Sequence, residues 1–208
     1  MVLAAEPANA QPSWPDYLAG RLRHDPVYVT DHESRLLDPV PAEAAIKRAI
    51  GALGEPAYVA VTLPLGLDDR DSDTLIPLLH DRLRTNAVYI VTTPNGSGGA
   101  VDYGGNLQVA DAWDAADVEL SAQESRNPNF RMTALMVVQR FVEIVKSGQV
   151  RQRLQAAERS ADQERAAERK HDSGGGEAVP VEAVTGAALT GLPLLALLVR
   201  RRVRRWRR

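Results

Sequence analysis

No cysteine occurs in the 208 residues. That excludes a disulfide framework and thiol chemistry, and it is compatible with an exported chain that folds on core packing alone. Aromatic residues are scarce at 5%, yet a hydrophobic share of 44% supports a real core, and the length suits one domain of ordinary size with additions. A basic excess is also missing. Setting aside the seven arginines of the C-terminus leaves 18 basic residues against 27 acidic ones, so residues 1–199 carry a formal −9. That is the wrong sign for a nucleic-acid partner. The four histidines, His24, His32, His80 and His171, lack ligand spacing, no serine sits in a G-x-S-x-G elbow, and no internal repeat is present.

Charge is absent from one long stretch, Ala183 to Val199, and returns at once as Arg200, Arg201, Arg202, Val203, Arg204, Arg205, Trp206, Arg207 and Arg208. Seventeen helical residues cover about 26 Å, close to the ~30 Å of a bilayer's hydrocarbon layer, and Ala178 to Val181 lengthen the run. Gly186, Gly191 and Pro193 are tolerated in a spanning helix. A core helix of a water-soluble domain rarely ends in such an arginine cluster, and a surface-lying helix needs a polar face that this run lacks. Arginines flanking a span stay on the cytoplasmic side, facing anionic lipid, with Trp206 near the headgroups. The expectation is a single-pass cell-membrane protein with its N-terminal domain outside and its C-terminus inside. The one Leu-Pro, Leu192-Pro193, lies within the run, so no sorting pentapeptide precedes it.

At the other end, Ala8-Asn9-Ala10 has the small-x-small form that signal peptidase accepts, without a basic start or a full apolar stretch before it. Residues 1–10 are therefore read as the remnant of a signal peptide, within an N-terminal segment 1–25 that ends in a short helical turn.

Between these ends the pattern alternates. Val27 to Thr30, Ala57 to Leu63 and Ala87 to Thr92 have the β-branched and apolar composition of strands. Between them lie helical periods, one starting at Pro41 and ending at Gly54, the other from about Thr74 to Arg84. Strand, helix, strand, helix, strand predicts an α/β fold, a mostly parallel sheet with right-handed crossovers and helices on both faces. Val101 to Tyr103 and Leu107 to Ala110 read as edge strands. Asn127-Pro128 reads as the cap of a helix whose stripe, Met132 to Val145, faces the sheet. From 148 to 172 alanine, glutamine, glutamate and arginine take over in a charged helical stalk, with Val150, Leu154, Ala157 and Ala161 as a weak heptad open to self-association. Residues 173–180, containing three glycines, form a joint, 181–199 the span, and 200–208 the tail.

Three stretches invite a chemical reading. Asp68, Asp69, Asp71 and Asp73 open like a calcium loop, but Thr74 and His80 stand where the loop needs glycine and a bidentate carboxylate. They remain candidates for a loose Ca2+ or Mg2+ site, and Asp71, Ser72 and Asp73 also suit the cap of the following helix. Asn95 to Gly99 lacks the lysine and helix of a phosphate loop and reads as a turn between strands. Asp31-His32-Glu33 follows the first strand at its carboxyl end, where α/β sheets bind ligands.

The order of elements over about residues 26–147 resembles the TPM domain family of exported, membrane-tethered α/β domains. Asn86 to Val91 (NAVYIV) is similar to that family's Asn-Gly-Val-apolar strand, and Val101-Asp102-Tyr103-Gly104 to its V-G-Y-G turn. Ala87 and Asp102 depart from the family's glycines, and the Leu-Glu that follows V-G-Y-G is absent. Plant members are associated with phosphatase activity, metal binding and photosystem repair. No metal or catalytic position of the family maps onto these residues. The function expected is interaction with an envelope protein partner or with membrane quality control, without a resident cofactor. The alternative is a weak metal-assisted phosphatase or other hydrolase using Asp68, Asp69, Asp71 or Asp73 with Asp31.

Overall fold

The computed structural model describes residues 12–64, 71–105 and 107–173; of Asp71, Glu164, Arg165 and 167–173 it describes the backbone alone. The elements are α1 (Trp14–His24), β1 (Val27–Val29), α2 (Pro39–Ile50), β2 (Ala57–Val61), α3 (Asp71–Leu83), β3 (Val88–Thr92), β4 (Gly98–Asp102), α4 (Val109–Arg126), α5 (Ala134–Ser147) and α6 (Val150–Ser173). Residues 1–169 cluster as one compact unit. Of a second, 170–208, only the first residues are described, the close of α6. Among the described residues no helix is long and apolar enough to cross a membrane. The run 183–199, the arginines and Trp206 lie outside the described residues, as do residues 1–10, Asp68 and Asp69.

The fold is α/β. Four strands lie in sequence order, β1 parallel to β2, β2 parallel to β3, and β4 antiparallel to β3. Alternation along each strand sends Val27, Val29, Val59, Val61, Val88 and Ile90 to one face, where α2, α4 and α5 pack around Ile46, Trp113 and Phe141. Tyr28, Tyr58, Ala60, Tyr89 and Val91 face the other way, toward α1 and α3. All five tyrosines of the chain lie on this second side.

The two parallel connections step across the sheet in the same direction, yet α2 and α3 cover opposite faces. One crossover is therefore left-handed, against the right-handed pair expected and against a rule obeyed in about 98% of cases. The compensation is at the far side of the sheet: with α3 and α1 on one face, the other is free for the α4–α5 pair, which closes the larger core.

Local boundaries also differ from the sequence reading. Helix α2 starts two residues earlier, because the Asp38 carboxylate accepts the Val40 N–H (3.3 Å) and Pro39 takes the first helical position. It ends at Ile50, and Gly54 sits in the turn that follows, at φ +77°. Leu107 to Ala110 is not a strand but the entry to α4, and Asn127 closes α4 rather than opening the next helix. The cap of α5 is Thr133, whose hydroxyl accepts the Met136 N–H. In place of a short turn, α1 is an eleven-residue helix burying Leu18, Ala19 and Leu22.

Beyond α5, Val150 and Leu154 pack on the main core and Ala157 is buried. Three of the four heptad positions are thus occupied within the chain itself.

Candidate functional site

Ligands in open α/β sheets enter where the connections from two adjacent parallel strands leave for opposite faces, because the backbone parts there and leaves a crevice at the carboxyl ends. In this fold that divide falls between β1, which continues to α2, and β2, which continues to α3. Thr30 and Thr62, the residues directly after the two strands, are both buried, and the Thr30 N–H donates to the Val61 carbonyl (2.9 Å).

Around the carboxyl end of β1 the side chains form one connected group. Trp14, Tyr17 and Arg21 share a helix face by their spacing of three and four, while Leu18 and Leu22 point inward. The Trp14 and Tyr17 rings stack with centroids 5.4 Å apart at 17°, and both meet Tyr28 edge-on at 6.2 Å. The Arg21 guanidinium lies 5.9 Å from the centre of the Tyr28 ring. Burial pushes the Tyr28 phenol above its ordinary pKa, and Tyr17 and Asp31 add to the rise while Arg21 and the Thr30 hydroxyl oppose it. The His32 Nδ1 is 3.3 Å from the Thr30 hydroxyl and 2.9 Å from the Asp31 carboxylate.

Threonine, histidine and aspartate in sequence suggest a nucleophile, a base and an orienting acid. The geometry denies it. Both neighbours claim the same imidazole nitrogen, whereas a relay needs the acid on one nitrogen and the hydroxyl on the other. Asp31 and His32 are instead exposed polar groups on the rim of the aromatic cluster, with side chains 85% and 70% accessible.

The outer edge of β1 is closed to an added strand. Because Pro26 and Thr30 bond to β2, the N–H groups of Val27 and Val29 point outward, and side chains take both: Asp25 accepts from Val27 (3.1 Å), Glu43 from Val29 (3.4 Å). Asp25 is held in turn by the Lys47 ammonium. A partner at this edge must engage side chains. Four large hydrophobic side chains are exposed among the described residues, and all flank this strand end: Trp14 and Tyr17 on the α1 side, Leu36 and Val40 at the entry to α2.

Of the acidic run, Asp73 is exposed in the first turn of α3, while Asp68, Asp69 and the Asp71 side chain lie outside the described residues. Ser72 is buried, and its hydroxyl has no hydrogen-bond partner among the described residues. Among the described residues no three metal-ligating side chains converge. Of Asn95 to Gly99, the first three residues lie in the turn from β3 to β4, closed by Thr93 N–H to the Ser97 carbonyl (2.8 Å), and Gly98 and Gly99 open β4. The turn's Gly96, at φ +91°, abuts α5, where a Cβ would fall 2.7 Å from Val137 Cγ2. His80 stacks on Tyr103 at 3.7 Å and meets Tyr89 edge-on, a packing role. The sequence pointed to Asp31 and His32 but missed the rings, because Trp14 and Tyr17 precede the first strand and only α1's length carries them back to its carboxyl end.

Comparison of the chain with family profiles, with curated proteins and with solved structures returns no match in any of the three.

Proposed function

We propose that the chain is a single-pass membrane protein whose α/β domain, of TPM type, stands outside the cell on a helical stalk and works by binding an envelope partner. The observation that carries this reading is the concentration of the exposed large apolar side chains at one end of a strand whose backbone edge is sealed. Trp and Tyr are enriched among the side chains that dominate binding energy at interfaces, and Leu36 and Val40 add exposed apolar area. The uncharged run 183–199 and the arginines behind it supply the anchor. Asp102, which departs from the family's glycine in the V-G-Y-G turn, has a local task that fits the same turn: its carboxylate accepts the N–H groups of Gly104 (2.6 Å) and Leu107 (2.8 Å).

A photo-crosslinking residue placed at Leu36 or Val40 in living cells tests the reading. It should give one discrete adduct, absent when the residue is at Ala52, which is exposed beyond the far end of α2. Equal labelling from all three positions contradicts it. The alternative, a metal-assisted hydrolase on Asp68, Asp69, Asp71, Asp73 and Asp31, requires that Ca2+ or Mg2+ raise the melting temperature by mass action and that a simple phosphoester turn over. No effect of either ion leaves the binding reading standing.

A further inference from the structure

The two exposed apolar patches beside the carboxyl end of β1 differ in chemistry. On the α2 side Leu36 and Val40 are purely aliphatic. On the α1 side flat rings are bordered by hydrogen-bonding groups of both signs: Arg21 on the same helix stripe as Trp14 and Tyr17, and Asp31 and His32 just past the strand. We propose that this aromatic half is a glycan-binding site, taking the pyranose rings of a neutral polysaccharide.

The rings are set before any ligand arrives. Trp14 and Tyr17 spend one face each in their mutual stack and are braced from below by Tyr28, so little side-chain freedom remains to be lost on binding. Trp14 is still 36% accessible and Tyr17 41%, which leaves flat apolar surface in water. A pyranose has a C–H face that lies on an aromatic plane and a rim of hydroxyls that each donate and accept. A guanidinium over the Tyr28 ring, and a carboxylate and an imidazole just past the strand that carries Tyr28, supply both functions beside the stacked pair. The mixed rim also decides between ligands. A phosphate would meet Asp31, and a cationic peptide would meet Arg21, whereas a neutral hydroxyl-rich ring is repelled by neither. The inference rests on the domain standing outside the membrane, where envelope polysaccharide is the abundant polymer.

The test uses the full chain in nanodiscs, with chitotetraose and cellotetraose as probes and titration calorimetry as readout. Binding by at least one is expected, weakened tenfold or more in Trp14→Ala and in Tyr17→Ala, and weakened less in Trp14→Phe, with the fold retained as near-native circular dichroism and a cooperative melt, because neither ring belongs to the buried core. Asp31→Asn should weaken it severalfold. Two results overturn the proposal: no binding of either sugar at concentrations up to about 10 mM, where even an interaction of a few kcal/mol is seen, or binding that Trp14→Ala leaves intact. Preferential binding of a Lys/Leu peptide control that Asp31→Asn abolishes also overturns it, in favour of a cationic peptide. Failure of the anchor would show separately, as full chain that stays soluble without detergent.

Discussion

At Gly98 a side chain has nowhere to go. A Cβ there would stand 2.1 Å from the Val91 carbonyl oxygen and 2.6 Å from the Thr92 Cα, both main-chain atoms that cannot move aside. Gly98→Ala should therefore cost about 3 kcal/mol by overpacking, measured by denaturant unfolding; an unchanged midpoint would mean that Thr92 and Gly98 are not paired as described. Ser72 behaves in the opposite sense. Its buried hydroxyl has no partner among the described residues, so Ser72→Ala removes an unmet donor and should be neutral or stabilising by up to about 1 kcal/mol, while a clear loss would reveal a bond that the hydroxyl makes. Asp25 gives a pH signature. Desolvation works to raise its pKa, but the hydrogen bonds from the Lys47 ammonium and the Val27 N–H outweigh it, and the net value is lowered. A depressed carboxylate contributes stability above its unfolded pKa near 4 and loses that contribution as pH falls through the folded value. The stability gap between the native chain and Asp25→Asn should accordingly narrow as pH drops from about 5 to about 2; a constant gap contradicts the assignment.

Among the elements, α6 is held by both apolar and ionic contacts. Val150 and Leu154 rest on the main core. Glu119 of α4 pairs with Arg140 of α5 and reaches Arg153 of α6 at 3.8 Å. Burial would lower the Arg140 pKa, but its bonds to Glu143 and Glu119 raise it overall. Leu154→Asp should release the start of α6, seen as lost hydrogen-exchange protection of amides 153–158, the first bonded amides of the helix, with α5 unaffected; retained protection would show that the ion pairs suffice. The same scale shows what the sequence made legible. Strands β1, β2 and β3 are strong because β-branched residues run through them, and they stand where their composition puts them. Helix α4 was not legible: its buried face is Val109, Ala112, Trp113, Ala115, Ala116 and Leu120, half of it alanine, with Asp111, Asp114 and Asp117 between, so apolar contrast is low. The left-handed crossover was not legible either, since handedness is decided by which face α4 and α5 must fill, a long-range matter. The candidate site was half visible, in Asp31 and His32, while its rings became neighbours only through folding.

For the whole molecule, the described domain and the proposed anchor make a joint statement about sides. The −9 formal charge of residues 1–199 and the arginines of the tail belong on opposite faces of a bilayer if the tail is retained inside. Because the chain has no native cysteine, introduced thiols report cleanly. Ser34→Cys, in the exposed loop between β1 and α2, and Arg208→Cys, at the terminus, form the decisive pair. A membrane-impermeant maleimide added to intact cells should label the cysteine at 34 and reach that at 208 only after permeabilisation, with both proteins in the membrane fraction. Equal labelling of the two positions in intact cells, or recovery of the chain in the soluble fraction, would contradict the account.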